Sequence, residues 1–311
     1  MSATATRSAG RPAERPAARR RRGSLTNPPS TGLALVMPAV LFVIVFVFTP
    51  LVVAVYVSLT DFPLIGDYEF VGLDNYSLAL SDPVFRHSLL YTLTYTAIVT
   101  VPILALGYGL AVLVRANRRG STLLRTVFFL PFIIGLTTIS FVMLLEAQPN
   151  SGALNVLLKS LGITDGTTAW LVDGPLATGL ICVLVIWGTS GLTMVLLLSS
   201  MQAIPREIYE SAEMDGAGWW RTERDVTLPM VRRTIAFSTV ISVIGSFLAF
   251  TQFLILTQGG PGSETTTVVM SIYRRAFVDL QLGAATAMSL ILVLVIAVIA
   301  ATQLWLLREK D

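Results

Sequence analysis

The side chains whose types and spacing could do chemistry gather in two places. One is a polar run from Ile204 to Pro229, set between long apolar stretches. Arg206, Glu207, Glu210 and Asp215 give it charged groups for pairing, within the chain or with a partner. The other is a short cluster, Ser246, Phe250, Thr251 and Gln252, inside an otherwise apolar stretch. Hydroxyls, an amide and an aromatic face suit a polyhydroxylated solute. The same groups also tie membrane helices together by hydrogen bonds, and the residues alone leave both roles open.

Catalytic sets are missing. The chain has one histidine, His87, and one cysteine, Cys182, so a two-histidine metal site of the H-E-x-x-H kind cannot be built, nor can an intrachain disulfide. A phosphate-binding loop needs a Gly-Lys pair. The only two lysines, Lys159 and Lys310, follow Leu158 and Glu309. The chain therefore binds no ATP through that loop, and no direct cofactor is expected. No nucleophile, base and metal set stands out for an intramembrane enzyme. The chain reads as a path for a solute, with energy supplied from outside.

The elements that must position these residues are apolar. Of 311 residues, 54% are hydrophobic and 13% charged, where a soluble domain carries about 25% charged residues. Six stretches reach the length needed to cross a bilayer, about 20 residues of helix. They lie at roughly 33–60, 87–114, 122–145, 175–201, 234–257 and 284–307. Arg125 is their only charged residue, so a proton relay through the spans is not supported. The first stretch is too long for a signal-peptide core and follows a 32-residue tail, which favours a retained span. The expectation is an all-α, polytopic membrane protein with about six transmembrane helices, in one domain over 33–307.

The tail, 1–32, holds Arg7, Arg11, Arg15, Arg19, Arg20, Arg21 and Arg22 against Glu14 alone. This Arg, Pro and Ala composition predicts disorder. The tail alone makes the chain basic, so no nucleic-acid partner is expected. It suits a topology anchor touching anionic lipid. With the N-terminus in the cytosol, eighteen Lys and Arg fall on the cytosolic side and four on the other: Arg86, Lys159, Arg274 and Arg275. The positive-inside rule then puts both termini in the cytosol, including 308–311, together with the loop 202–230. No internal repeat supports an inverted-repeat secondary carrier.

Within that loop, Pro205 suits the first turn of a helix. Ile204, Ile208 and Ala212 recur every four residues and share a face. Arg206 and Glu210 can pair across one turn. Gly216 follows as the stop, because glycine tolerates left-handed dihedrals. Periodicity by itself favours an amphipathic helix lying on the membrane.

The spacing of particular residues resembles the "EAA" loop of bacterial ATP-binding-cassette (ABC) importer permeases. Glu210-Ser211-Ala212 is followed by Gly216 and by Val226-Thr227-Leu228-Pro229, and Ile204-Pro205 and Asp215-Gly216-Ala217 match the longer carbohydrate-importer (MalF-like) version. Further landmarks resemble that subfamily: Phe70–Tyr76, Phe128–Pro131, Gly152–Asn155, Leu256–Pro261 and Leu282–Ala285. Two departures stand out. Ser211 replaces a second small residue, and Glu223 stands where the subfamily usually carries an aromatic one.

The resemblance implies the type I ABC importer permease fold in a bacterial cell membrane. It implies a dimer of ABC ATPase subunits that hydrolyse ATP, a second and usually different permease chain, and an extracytoplasmic solute-binding protein. Glu207, Glu210, Ser211, Ala212, Asp215 and Gly216 would form the docking set for the ATPase subunit. The solute class would be a sugar or related polyol. The rival reading is a stand-alone secondary carrier or channel, which would need no ATPase partner.

Overall fold

The structure is a computed structural model and describes residues 29–63, 66–116 and 120–306. The Arg-rich part of the tail, Arg118, Arg119 and the segment 308–311 lie outside the described residues. The chain divides into two units, one ending at Val52 and one beginning at Val53.

Helix α1 (Pro29–Val43) passes in the first unit through a π-helical turn, Ile44–Phe48, into α2 (Thr49–Ser58), whose residues from Val53 on belong to the second unit. It starts before the expected position 33. Pro50 explains the widened turn. Proline donates no hydrogen bond and its ring crowds the carbonyl four residues back. The Thr49 N–H and hydroxyl both turn to the carbonyl of Ile44 instead.

In the second unit, a short α3 (Asp74–Ser81) precedes α4 (Pro83–Arg115). Asp82 caps α4 by accepting from the N–H of Val84 at 2.8 Å, and Pro83 occupies the first turn. α5 (Ser121–Ile134) and α6 (Leu136–Glu146) follow, then α7 (Ala153–Ser160) and α8 (Gly174–Gln202). Asp173 caps α8 in the same way, accepting from Leu176 at 3.0 Å. α4 and α8 form the central pair. Tyr95, Val99, Ile181 and Leu184 pack together along it, with Phe253 from later in the chain.

The polar loop supplies α9 (Arg206–Met214) and α10 (Trp219–Thr222). A second π-helical turn, Glu223–Thr227, leads into α11 (Leu228–Phe247), again just ahead of a proline, Pro229. α12 (Thr251–Leu256), α13 (Val268–Phe277) and α14 (Leu282–Leu306) complete the order. Among the described residues, β-pairing is limited to two isolated bridges, Thr60 with Phe70 and Pro63 with Gln281.

Five helical runs are long and apolar enough to cross a membrane, and α5 with α6 make a sixth if that bent pair is one span. The protein is thus an all-α, multi-pass membrane protein of the expected kind. Two spans differ from the uninterrupted helices expected. The stretch 122–145 bends by 89° between α5 and α6. Gly135 sits at the bend with φ 86° and ψ 148°, a conformation open to glycine and costly for other residues. The stretch 234–257 breaks at Leu248, Ala249 and Phe250, between α11 and α12.

The segments between spans are pinned by buried asparagines that belong to the landmark motifs. Asn75 donates to the carbonyls of Ser58 (2.9 Å) and Thr60 (2.7 Å). Asn155 donates to the carbonyls of Gln148 and Thr168, each at 3.0 Å, and accepts from the Trp170 indole at 3.0 Å.

Candidate functional site

The two broken spans meet at one cavity of about 180 Å³. Phe132 and Leu136 flank the Gly135 bend and line it. Ser246 and Gln252 flank the other break and line it too. Irregular backbone at membrane depth is tolerated where protein or a cavity satisfies its polar groups. Here the Ala249 carbonyl, exposed by the break, accepts from the Thr267 hydroxyl at 2.8 Å. The break is therefore a built feature, held by a side chain from the start of α13.

The wall is mainly apolar, with hydroxyls at intervals from Thr189 and Thr193 on α8 and from Ser238, Ser242 and Ser246 on α11. The Ser238 hydroxyl is buried and makes no hydrogen bond. The Tyr95 hydroxyl, also on the wall and near Gln252, makes none of ordinary geometry. A buried polar atom without a partner costs about 1–3 kcal/mol. Such atoms lining a cavity are groups that a hydroxyl-rich solute can satisfy.

Of the four residues nominated in the fifth span, Ser246 and Gln252 reach this cavity, at 5% and 4% exposure. Phe250 and Thr251 do not line it. Phe250 packs instead against Tyr273, ring centroids 5.1 Å apart and the rings tilted by 48°. Thr189, Thr193, Ser238, Ser242 and Tyr95 were missed by sequence reasoning. Each is a single polar residue in a long apolar run, and nothing local marks which of them face one another.

The loop forms its helix as expected, with one shift. Pro205 lies just before the first helical residue, at φ −57° and ψ 140°, and Arg206 begins α9. Arg206 and Glu210 pair at 2.8 Å on an exposed face. At the other end Gly216 takes φ 73°. The Ala217 N–H reaches the Ala212 carbonyl at 2.9 Å and the Gly216 N–H reaches Glu213 at 3.0 Å. These two bonds are a Schellman termination, which satisfies the helix's last carbonyls.

Glu207, Glu210, Ser211, Asp215 and Gly216 are all exposed, and Met214 is 89% exposed. Ala212 is half-buried, as are Ile208 on the same helix and Ile204 just ahead of it. Five of the six nominated docking residues thus present themselves outward, while Ala212 turns toward the chain's own side. Trp219 and Trp220 are also exposed and pack edge to face at 4.4 Å. His87 stacks on Tyr91 at 6.4 Å.

The strongest polar contact at the loop was not anticipated. Glu223 is buried at 6% exposure and forms an ion pair with Arg115, the last residue of α4. Tyr108, also on α4, donates to the same carboxylate at 2.9 Å. The Arg115 guanidinium donates further to the Tyr209 hydroxyl and to Thr227 Oγ1, each at 3.2 Å. It also lies 5.2 Å from the centre of the Tyr209 ring, a cation–π distance. Every partner of the buried carboxylate comes from elsewhere in the fold, so sequence could mark Glu223 as unusual but not name what answers it.

Residues 90–310 match the family described as the binding-protein-dependent transport system inner membrane component, and the chain belongs to that family, the permeases of ABC importers. It is 31% identical to a probable ABC transporter permease protein of Pyrococcus horikoshii, over 88% of this chain and 94% of that protein. It is also 31% identical to the diacetylchitobiose uptake system permease protein NgcF of Streptomyces coelicolor, over 85% of this chain and 78% of the relative. In structure it resembles a chain of a bacterial ABC transporter that imports the acidic polysaccharide alginate. The TM-score is 0.79 at 20% identity, covering 91% of this chain and 96% of that one. That likeness places the fold; the sequence relatives place the family.

Proposed function

We propose that this permease carries a sugar or related polyol through the cavity between its two broken spans, and that α9 delivers the work of a separate ATPase subunit. The observation that carries the reading is the convergence of Ser246 and Gln252 with the hydroxyls of α8 and α11 on one cavity of about 180 Å³. Spaced hydroxyls and an amide in an apolar wall suit solutes with alternating hydroxyl and C–H faces. The diacetylchitobiose uptake named for a relative agrees with that class.

In this reading the chain sits in a bacterial cell membrane with both termini in the cytosol, as its arginine distribution favours. Two ATPase subunits hydrolyse ATP, a second and different permease chain completes the path, and an extracytoplasmic binding protein delivers the solute. Glu207, Glu210, Ser211, Asp215 and Gly216 form the surface that seats on the ATPase subunit, and Ala212 keeps α9 against its own chain. Rigid-body switching between two states then opens the cavity to either side in turn.

Co-purification and vesicle uptake test this directly. The tagged chain, expressed with its neighbouring transport genes, is expected to bring down an ATPase subunit and a second permease. Vesicles holding the assembly are expected to accumulate a sugar only with ATP inside and loaded binding protein outside. ATP-independent uptake by the chain alone would overturn the reading in favour of a stand-alone carrier.

A further inference from the structure

A carboxylate buried to 6% exposure needs partners in place of water. Removing an ion from water is costly unless a partner charge and hydrogen bonds replace the lost solvation. Glu223 has both, from Arg115 and from the Tyr108 hydroxyl. The arrangement joins three parts of the chain. Tyr209 comes from α9, Glu223 and Thr227 from the π-helical turn before α11, and Tyr108 and Arg115 from α4.

The far part of α4 lines the cavity. Tyr95 and Ile103 are on the cavity wall, and Arg115 closes the same helix. At 1.5 Å rise per residue, Ile103 lies about 18 Å from Arg115 along the helix and Tyr95 about 30 Å. Near α9, Ile204 packs on the apolar cluster that includes Ala111 and Val114 of α4. Apolar contacts slide at little cost. A forked guanidinium held by a carboxylate, two hydroxyls and an aromatic face has a fixed direction.

We propose that Arg115 and Glu223 are positioning residues that lock the loop to the end of α4, so that displacement of α9 reaches the cavity wall as movement of α4. The two act as one joint and touch neither solute nor nucleotide. The π-helical turn lets the chain bring Glu223 and Thr227 to the same guanidinium, with Leu228 bonded to the Glu223 carbonyl across the wider turn. This proposal rests on α9 being the seat of the ATPase subunit.

The test uses the whole importer in vesicles and reads solute taken up per ATP hydrolysed. Variants are Glu223→Gln, Arg115→Gln and the double substitution. Coupling between sites corresponds to about 5–150-fold, and each single change is expected to lower uptake per ATP about tenfold. The double is expected to lose less than the product of the two single losses, because both changes break the same ion pair. The ATPase subunit should still co-purify at the wild-type ratio. Tyr108→Phe, which removes one oxygen and keeps the packing, should give a smaller loss in the same ratio even where a charge variant fails to accumulate.

Wild-type uptake per ATP in the single variants would overturn the joint. So would losses that multiply in the double, or losses that only follow a fall in the amount of assembled complex. Failure of the unmutated chain to hold an ATPase subunit would instead overturn the importer reading, and the joint with it.

Discussion

Ser246 and Gln252 lie on opposite sides of the break in the fifth span and face the same cavity. A continuous helix would set residues six apart about 600° around the axis, well off a common face. The break at Leu248, Ala249 and Phe250 brings them together, and the Thr267 hydroxyl holds it by taking the Ala249 carbonyl. Position in the wall therefore depends on the break, not on helical spacing.

Gln252→Leu keeps the bulk of a side chain that is 4% exposed and removes its amide. A lost polar contact is worth about 1–3 kcal/mol, so uptake is expected to fall about tenfold or more. Assembly with the other subunits should be unchanged. Parallel measurement of uptake and of complex yield checks this, and equal loss of both would favour helix packing as the residue's role.

Gly216→Leu challenges the loop in another way. A side chain there meets nothing within 4 Å inside the chain, yet the backbone φ is 73°. The substitution strains only the termination of α9 and adds bulk to the outward face. The chain should remain in the membrane while ATP hydrolysis loses its link to uptake. Normal uptake would remove Gly216 from the docking surface.

Asp82 caps α4 and also pairs with Arg275 on α13, which in turn reaches Asp279 at 3.6 Å and Gln281 at 3.2 Å. Asp82→Ala removes the cap and leaves Arg275 without its partner on α4. Loss of a cap costs about 0.5–2 kcal/mol. A lower melting temperature in detergent is expected, with the Arg275→Ala variant adding little on top of it.

Asn155→Leu leaves two carbonyls and the Trp170 indole N–H without their partner at a site of 0% exposure. Each unsatisfied group costs about 1–3 kcal/mol. Amide exchange should quicken across 149–170 and stay at the wild-type rate in α4 and α8. Unchanged exchange in that segment would mean that other contacts hold it.

Much of the architecture is legible in the sequence, for local reasons. Helix α9 and its stop at Gly216 follow from Pro205, a four-residue apolar period and a glycine, all within a dozen positions. The spans follow from runs of uncharged residues. The bend at Gly135 was not legible, because a lone glycine in an apolar run is also common in straight membrane helices. Phe250 and Thr251 group with Ser246 and Gln252 because they are neighbours in sequence. The structure separates them, since the break points Phe250 toward Tyr273 instead.

By itself, the sequence determined what each segment must be: six apolar stretches long enough to cross a bilayer, one polar loop, and no Gly-Lys pair. Hydrophobicity, capping and turn preference act over a few residues and can be read along the chain. Tertiary structure alone decided which polar side chains answer one another. Glu223 and Arg115 are 108 positions apart, and the cavity draws on six helices. A buried charge or hydroxyl is stable only with its partner in place, and that partner is chosen by helix packing, which no local pattern records.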